Sequence, residues 1–146
     1  MILQKKSELD ALTGMANRYR LNDFSDEIFA QALQDETPLT VEILDVDYFK
    51  EFNDNYGHQR GDECLLTIAN VIKKLTEEYD AFCARYGGDE FVIIIKGISH
   101  DEMVAFCSKL RERVLDCGLE HRYSKVMPMV TISQGACWGI PLRGNR

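Results

Sequence analysis

The sequence predicts an α/β fold of the α+β kind, in which helices cover a central mixed β-sheet. Three observations lead there. Stretches whose apolar residues recur at close to 3.6 residues alternate with short, dense, β-branched runs. Their order is helix, strand, two helices, hairpin, helix, strand, a sequence of elements that needs helices packed on a sheet. At 146 residues and 45% hydrophobic content, the chain suits one globular domain with a single core.

The elements follow in order. Ile2 and Leu9 stand seven residues apart among charged neighbours, a spacing that fits the end of a coiled-coil or linker helix over residues 1–9, or equally a frayed terminus. Residues 10 to 18 form a loop with Thr13-Gly14 as its breaker. Leu21, Phe24, Ile28, Phe29, Ala32 and Leu33 then mark a helix, which Thr37-Pro38 ends because the residue before proline is pushed out of the α region. Residues 39 to 46 read as a buried strand through Val41, Ile43, Leu44 and Val46, closing on Asp45 and Asp47. A short helix over 48 to 56 follows, with Asp47 read as its N-cap in preference to a ligand and Gly57 as its stop. Gly61-Asp62-Glu63 is expected to open a longer helix whose Leu65, Ile68, Ile72 and Leu75 share one face.

Cys83 to Tyr86 and Phe91 to Ile95 flank Gly87-Gly88 and read as a hairpin with Asp89 and Glu90 at its tip. Ser99 or Asp101 is expected to cap a helix carrying Met103, Phe106, Leu110 and Val114, which Gly118 ends. Residues 119 to 128 are polar and carry no assigned element. Residues 129 to 137 return as a strand around Val130-Thr131-Ile132.

Charge excludes some functions. A formal net charge of −7 argues against non-specific binding to nucleic acid or to an anionic membrane face, since both depend on Lys and Arg neutralising phosphates. An acidic chain that handles phosphates is therefore expected to use a cation. The five cysteines, Cys64, Cys83, Cys107, Cys117 and Cys137, are odd in number, scattered and free of any C-x-x-C pair. They fit reduced thiols in a cytosol and read as small core residues. No apolar run approaches the roughly 18 residues that span a bilayer, and no signal-peptide h-region is present, so a cytoplasmic segment without membrane contact is expected.

The carboxylates carry the chemistry. Gly87-Gly88 permits positive φ and leaves no side chain to keep a ligand from the backbone, so it serves either as a simple turn or as a floor for phosphates. Magnesium is held by a few carboxylate and carbonyl oxygens and keeps positions open for substrate phosphates. Asp45, the Val46 carbonyl, Asp89 and Glu90 converge on such a site if the strand 39 to 46 pairs beside the hairpin. Period-2 alternation then puts Asp89 and Glu90 on opposite faces, one for a metal and the other for a reacting hydroxyl or a second metal. The alternative is that the two acids only solubilise a turn. Lys50 can touch a phosphate, although taken by itself it reads as an ordinary exposed lysine. Asp62 reads as a helix cap and Asn53 as a polar helix end, yet an Asn and Asp pair is also what reads guanine.

Taken together, these residues resemble the GGDEF domain family, the diguanylate cyclases. The resemblance rests on five stretches: Asp10-x-Leu-Thr-Gly-Met-x-Asn-Arg18, Asp45-Val-Asp-Tyr-Phe-Lys-x-Phe-Asn53, Tyr56-Gly-His-x-x-Gly-Asp62, Arg85-Tyr-Gly-Gly-Asp-Glu-Phe91 and Val130-Thr-Ile-Ser-x-Gly135. It implies a nucleotidyl cyclase-like sheet and a GTP site. Asp45, the Val46 carbonyl and Glu90 would be ligands of Mg²⁺ or Mn²⁺, with Asp89 also at the metals and near the attacking 3′-hydroxyl. Gly87 and Gly88 would lie against the triphosphate with Lys50 touching it, while Asn53 and Asp62 read guanine and Tyr48 lines that pocket. It further implies condensation of two GTP to cyclic di-GMP in a homodimer, commonly driven by an upstream sensor or coiled coil.

Two departures stand out. The family's inhibitory R-x-x-D has Glu77 in place of its Arg and one residue too many before Gly-Gly, so product inhibition there is not expected. The family also continues past its last strand into a helix bearing Lys and Arg and then a final strand, whereas residues 10–146 end in Pro141-Leu-Arg-Gly-Asn-Arg146. Fewer cations are expected to weaken GTP binding and phosphoryl transfer. That leaves a regulatory module that binds GTP or dimerises without turnover as the alternative function. A missing helix is also expected to leave apolar surface bare.

Overall fold

The computed structural model describes residues 7–142. Its elements are α1 (Arg18–Asp35), β1 (Leu39–Val46), α2 (Phe49–Tyr56), α3 (His58–Glu78), β2 (Phe82–Gly87), β3 (Glu90–Lys96), α4 (His100–Asp116) and β4 (Ile132–Gly139). The strands form one sheet in the order β2-β3-β1-β4. All three ladders are antiparallel. The parallel pairing among the described residues is the isolated bridge from Ala16 to Ala84, so the strands expected to form a mixed sheet form an antiparallel one.

Strand alternation builds two unequal layers. Thr40, Glu42, Leu44 and Val46 of β1 are buried on one face, where Phe91, Ile93 and Ile95 of β3 meet Leu65, Ile68, Ile72 and Leu75 of α3 and Phe106, Leu110 and Val114 of α4. Each such side chain removed from water contributes roughly 1.5–3 kcal/mol, so this layer supplies most of the driving force. The other face is covered at one end by α1, whose Leu21, Phe24 and Ile28 pack on Leu39, Val41, Phe82, Val92 and Ile94. Phe24 stacks on Phe82 with centroids 4.0 Å apart. Beyond α1 the face lies open among the described residues, and Ile43 is 56% exposed although it sits on an inner strand.

Local signals account for most boundaries. Asn17 caps α1 by accepting from the Arg20 N–H. Ser99 and Glu102 form a reciprocal capping box on α4, and Gly118 at φ 62 follows its end.

Several expectations are corrected. Gly61 and Asp62 do not open α3, which begins at His58 after Gly57 has turned the chain at φ 92. Gly61 lies inside the helix, where a Cβ would stand 1.8 Å from Asn53 Oδ1, and Asp62 is an exposed acid within α3. Asp47 is not the cap of α2. Tyr48 takes that position in the left-handed region (φ 54), with no side-chain cap bond. The last strand starts at Ile132, and Met129 makes only an isolated bridge to Glu120. Cys64 is buried as expected of a core thiol, but Cys137 is exposed. Of the expected linker helix, residues 1–6 lie outside the described residues, and Ser7 to Leu9 are not helical, Leu9 bridging to Ala16. Among the described residues, no helix is long and apolar enough to cross a membrane.

Candidate active site

The site forms where β1 ends beside the β2–β3 turn. Antiparallel register sets Asp45 directly opposite Glu90 on one side and Ser133 on the other. These residues and Ile43 line an open cleft of about 450 Å³. Asp89, in the turn, accepts a hydrogen bond from the Val46 N–H through Oδ2 at 3.3 Å. Asp45 is thus brought opposite Glu90, and Val46 into contact with Asp89, by the pairing of β1 with β3.

So many acids at one place disfavour the ionised state. The Asp45 carboxyl is raised from its ordinary value by desolvation first, then by the charges of Asp89, Asp47 and Glu90. A cation between them would reverse that cost. Among the described residues, no three His, Cys, Asp or Glu side chains make a ready-formed cage.

Gly87 and Gly88 carry a second signal. A Cβ at either would meet no atom within 4 Å, and neither has the positive φ that would demand glycine. The fold does not require these glycines, and their openness suits the approach of a ligand to the backbone.

The turn is braced from behind. Arg85 donates from Nε to the Gly88 carbonyl at 2.9 Å and from Nη1 to the Asp10 carboxylate at 3.2 Å. Burial acts to raise Asp10, but hydrogen bonds from the Thr13 N–H, the Thr13 hydroxyl and Arg85 outweigh it and hold the carboxyl below its usual value. The Arg85 N–H also donates to the Ala16 carbonyl. Residues 10 to 17 thus bracket the hairpin that carries the two acids, a role the sequence did not disclose.

The remaining predicted residues come from the α2–α3 turn. Asn53 packs on Gly61, the residue before Asp62 on the next helix, and its Oδ1 is buried without a partner among the described residues. Lys50 lies one turn earlier on α2 and is exposed. Tyr48 is 37% exposed at the start of that helix. Asp47, read as a cap, instead accepts from the hydroxyls of Thr131 (2.6 Å) and Ser133, which ties the end of β1 to the start of β4. The buried His121, which contacts the Tyr48 carbonyl, was missed altogether; a single His in a polar stretch gives no local signal.

The hairpin thus sets paired acids beside an open glycine turn at the end of β1, and Asn53 and Asp62 lie on the two helices that follow. Comparison with known proteins assigns the family. The model described as "Diguanylate cyclase, GGDEF domain" matches residues 7–145, and the chain belongs to the GGDEF domain family. Diguanylate cyclase DosC of Escherichia coli K12 is 39% identical over 106 residues, covering 73% of this chain and 23% of DosC. Diguanylate cyclase DgcZ of the same organism is 32% identical over 142 residues, covering 96% of this chain and 46% of DgcZ. The GGDEF domain of DgcB from Caulobacter crescentus, solved in complex with c-di-GMP, superposes with a TM-score of 0.82 at 30% identity, over 94% of this chain and 81% of that one. The chain thus spans less than half the length of these two curated relatives.

Proposed function

We propose that this domain is the catalytic part of a diguanylate cyclase, condensing two GTP into cyclic di-GMP with release of two pyrophosphates. The observation that carries the reading is the register pairing of Asp45 with Glu90, with Asp89 bonded to the Val46 N–H, beside glycines that the fold itself does not need.

In this reading Asp45, the Val46 carbonyl, Asp89 and Glu90 hold Mg²⁺ or Mn²⁺. Such an ion neutralises phosphate charge and polarises the α-phosphate when bound. The backbone of Gly87 and Gly88 lets the triphosphate approach closely, and Lys50 adds positive charge to it. Asp62 accepts from guanine N1 and N2, Asn53 contacts N7 or O6, and Tyr48 lines the pocket. Asp89 lies by the attacking 3′-hydroxyl and takes its proton as the oxygen bonds to the α-phosphorus of the other nucleotide. The bond from that phosphorus to pyrophosphate breaks in the same displacement, and a second such step closes the ring.

One domain holds one GTP, so two copies must face each other, and a homodimer is part of the mechanism. A sensor or coiled-coil segment upstream would bring them together in the cytoplasm. A solved DgcB chain that contains a coiled coil with its GGDEF domain, and a SiaD structure in complex with its activator SiaC, support that view of control.

The test is incubation of purified protein with GTP and Mg²⁺ across a range of protein concentrations, with product read by chromatography. Cyclic di-GMP should form, its rate per protomer should rise with protein concentration, and Glu90→Gln should abolish it. Protein that binds GTP yet yields no product at any concentration would instead be a GTP-binding regulatory module.

A further inference from the structure

We propose that His121 is a positioning residue that holds α2, and with it Asn53 and Tyr48, in the pose that guanine selection needs; this rests on the nucleotide-binding role given above to α2. The helix cannot hold that pose unaided. It has eight residues and no side-chain cap, well below the length at which an isolated helix is stable. It also begins at Tyr48 in the left-handed region, φ 54 and ψ 38, a conformation disfavoured for a non-glycine residue.

What fixes it comes from the loop between α4 and β4. The Tyr48 carbonyl accepts from the Phe52 N–H at 3.0 Å and from His121 Nε2 at 2.8 Å. A carbonyl can only accept, so Nε2 carries the proton. The imidazole is 0% exposed and stands edge-on to Phe52, with centroids 5.2 Å apart at 89°. Among the described residues its buried Nδ1 has no partner. An orphaned buried acceptor is destabilising, and a phenyl ring would fill the same apolar niche without it. The bond to Tyr48 is what the imidazole adds.

The loop that carries His121 is itself fixed. Its base is closed by the His121 N–H to the Pro128 carbonyl and the Val130 N–H to the Leu119 carbonyl. Its Arg122 N–H donates to the Tyr56 hydroxyl at 3.0 Å, at the far end of α2. Thr131, at the loop's exit, grips Asp47. The segment from 47 to 56 is therefore clasped along its length by one connection, and His121 supplies the grip at the strained residue.

The test compares His121→Phe, which keeps a buried ring but has no donor, with His121→Gln, whose amide nitrogen can take the place of Nε2. Should the phenylalanine variant fail to fold, His121→Asn serves, its amide being too short to reach Tyr48. Two readouts are needed. Amide hydrogen exchange over residues 49 to 56 should speed up at least about tenfold in His121→Phe with the interior of α3 unchanged, and His121→Gln should restore protection. The GTP dissociation constant should rise about tenfold while that for ATP stays put, again with rescue by Gln. Unchanged α2 exchange, exchange that quickens equally everywhere, or an unchanged GTP-to-ATP ratio in a loosened α2 would overturn the inference. A wild-type protein with no preference for GTP would overturn the guanine reading and the selective role with it, while the exchange data would still decide whether His121 holds α2.

Discussion

Glu42 shows how much one buried side chain can govern. It lies on an inner strand and is 1% exposed. Its in-register neighbours, Ile93 on β3 and Ala136 on β4, are uncharged, and α4 presents Cys107, whose thiol donates to Glu42 Oε1 at 3.0 Å. Oε2 has no partner, and neither has the buried Oε1 of Gln134 further along β4. Burial pushes the Glu42 carboxyl up to about 7, against the lowering effect of the Cys107 hydrogen bond. Burial and Glu42 push the Cys107 thiol up to about 12. The neutral acid suits this place, because burial without a counter-charge penalises the ionised form. The sign follows from linkage: the folded state binds more protons than the unfolded state between the ordinary value of 4.5 and about 7. Stability is therefore full below that window and is lost as pH rises through it, by up to roughly 3 kcal/mol. Urea unfolding of wild type and Glu42→Gln at pH 5 and pH 8 should show the variant gaining on wild type by that order at the higher pH. Parallel pH profiles would mean that Glu42 titrates like a solvated acid.

At the scale of elements, the crossing of α2 and α3 carries the nucleotide specificity proposed here. Gly61 allows the helices to meet, and the atom in its way is the end of the Asn53 side chain, not backbone. Gly61→Ala should therefore be mild for the fold, since alanine gains about 0.5–1 kcal/mol in a helix interior, while the displaced Asn53 amide loses its place. The expected outcome is stability within about 1 kcal/mol of wild type, with GTP affinity down about tenfold and ATP affinity unchanged, read by urea unfolding and nucleotide titration. A large destabilisation would show instead that Asn53 cannot yield. This crossing also shows where sequence is informative. β1 and the hairpin could be read because apolar runs and turn residues act locally, and the span 39 to 46 is the strand observed. Asp47, Gly61 and Asp62 were misread because capping rules judge a residue by its neighbours, whereas the partner of Asp47 is Thr131, 84 positions away. His121 is 73 positions from Tyr48, and no local pattern encodes such a contact.

For the molecule as a whole, the two faces of the sheet make opposite demands. Helices α3 and α4 seal one face, whereas the other is sealed only as far as α1 reaches. There a groove of about 470 Å³ is lined by Ile28, Phe29, Val41, Ile43 and Val92, with Glu90 and Tyr86 of the hairpin at its margin. Ile43 and Ile93 test the difference because both are β-branched residues on inner strands, so strand propensity is the same for both. Ile93 is 0% exposed and Ile43 is 56% exposed. Replacing the buried isoleucine with threonine removes packing and buries a hydroxyl, which should cost about 2–4 kcal/mol. Ile43→Thr keeps the branch, loses little burial, and should stay within about 0.5 kcal/mol of wild type. It should also lower the fluorescence of an apolar dye bound to the native protein, because exposed Ile43 is part of a contiguous apolar surface. Equal destabilisation by the two substitutions would mean that something covers Ile43 in solution. The face beside the acids proposed to hold the metal would then be an interface, and the dye signal should disappear from wild type as well.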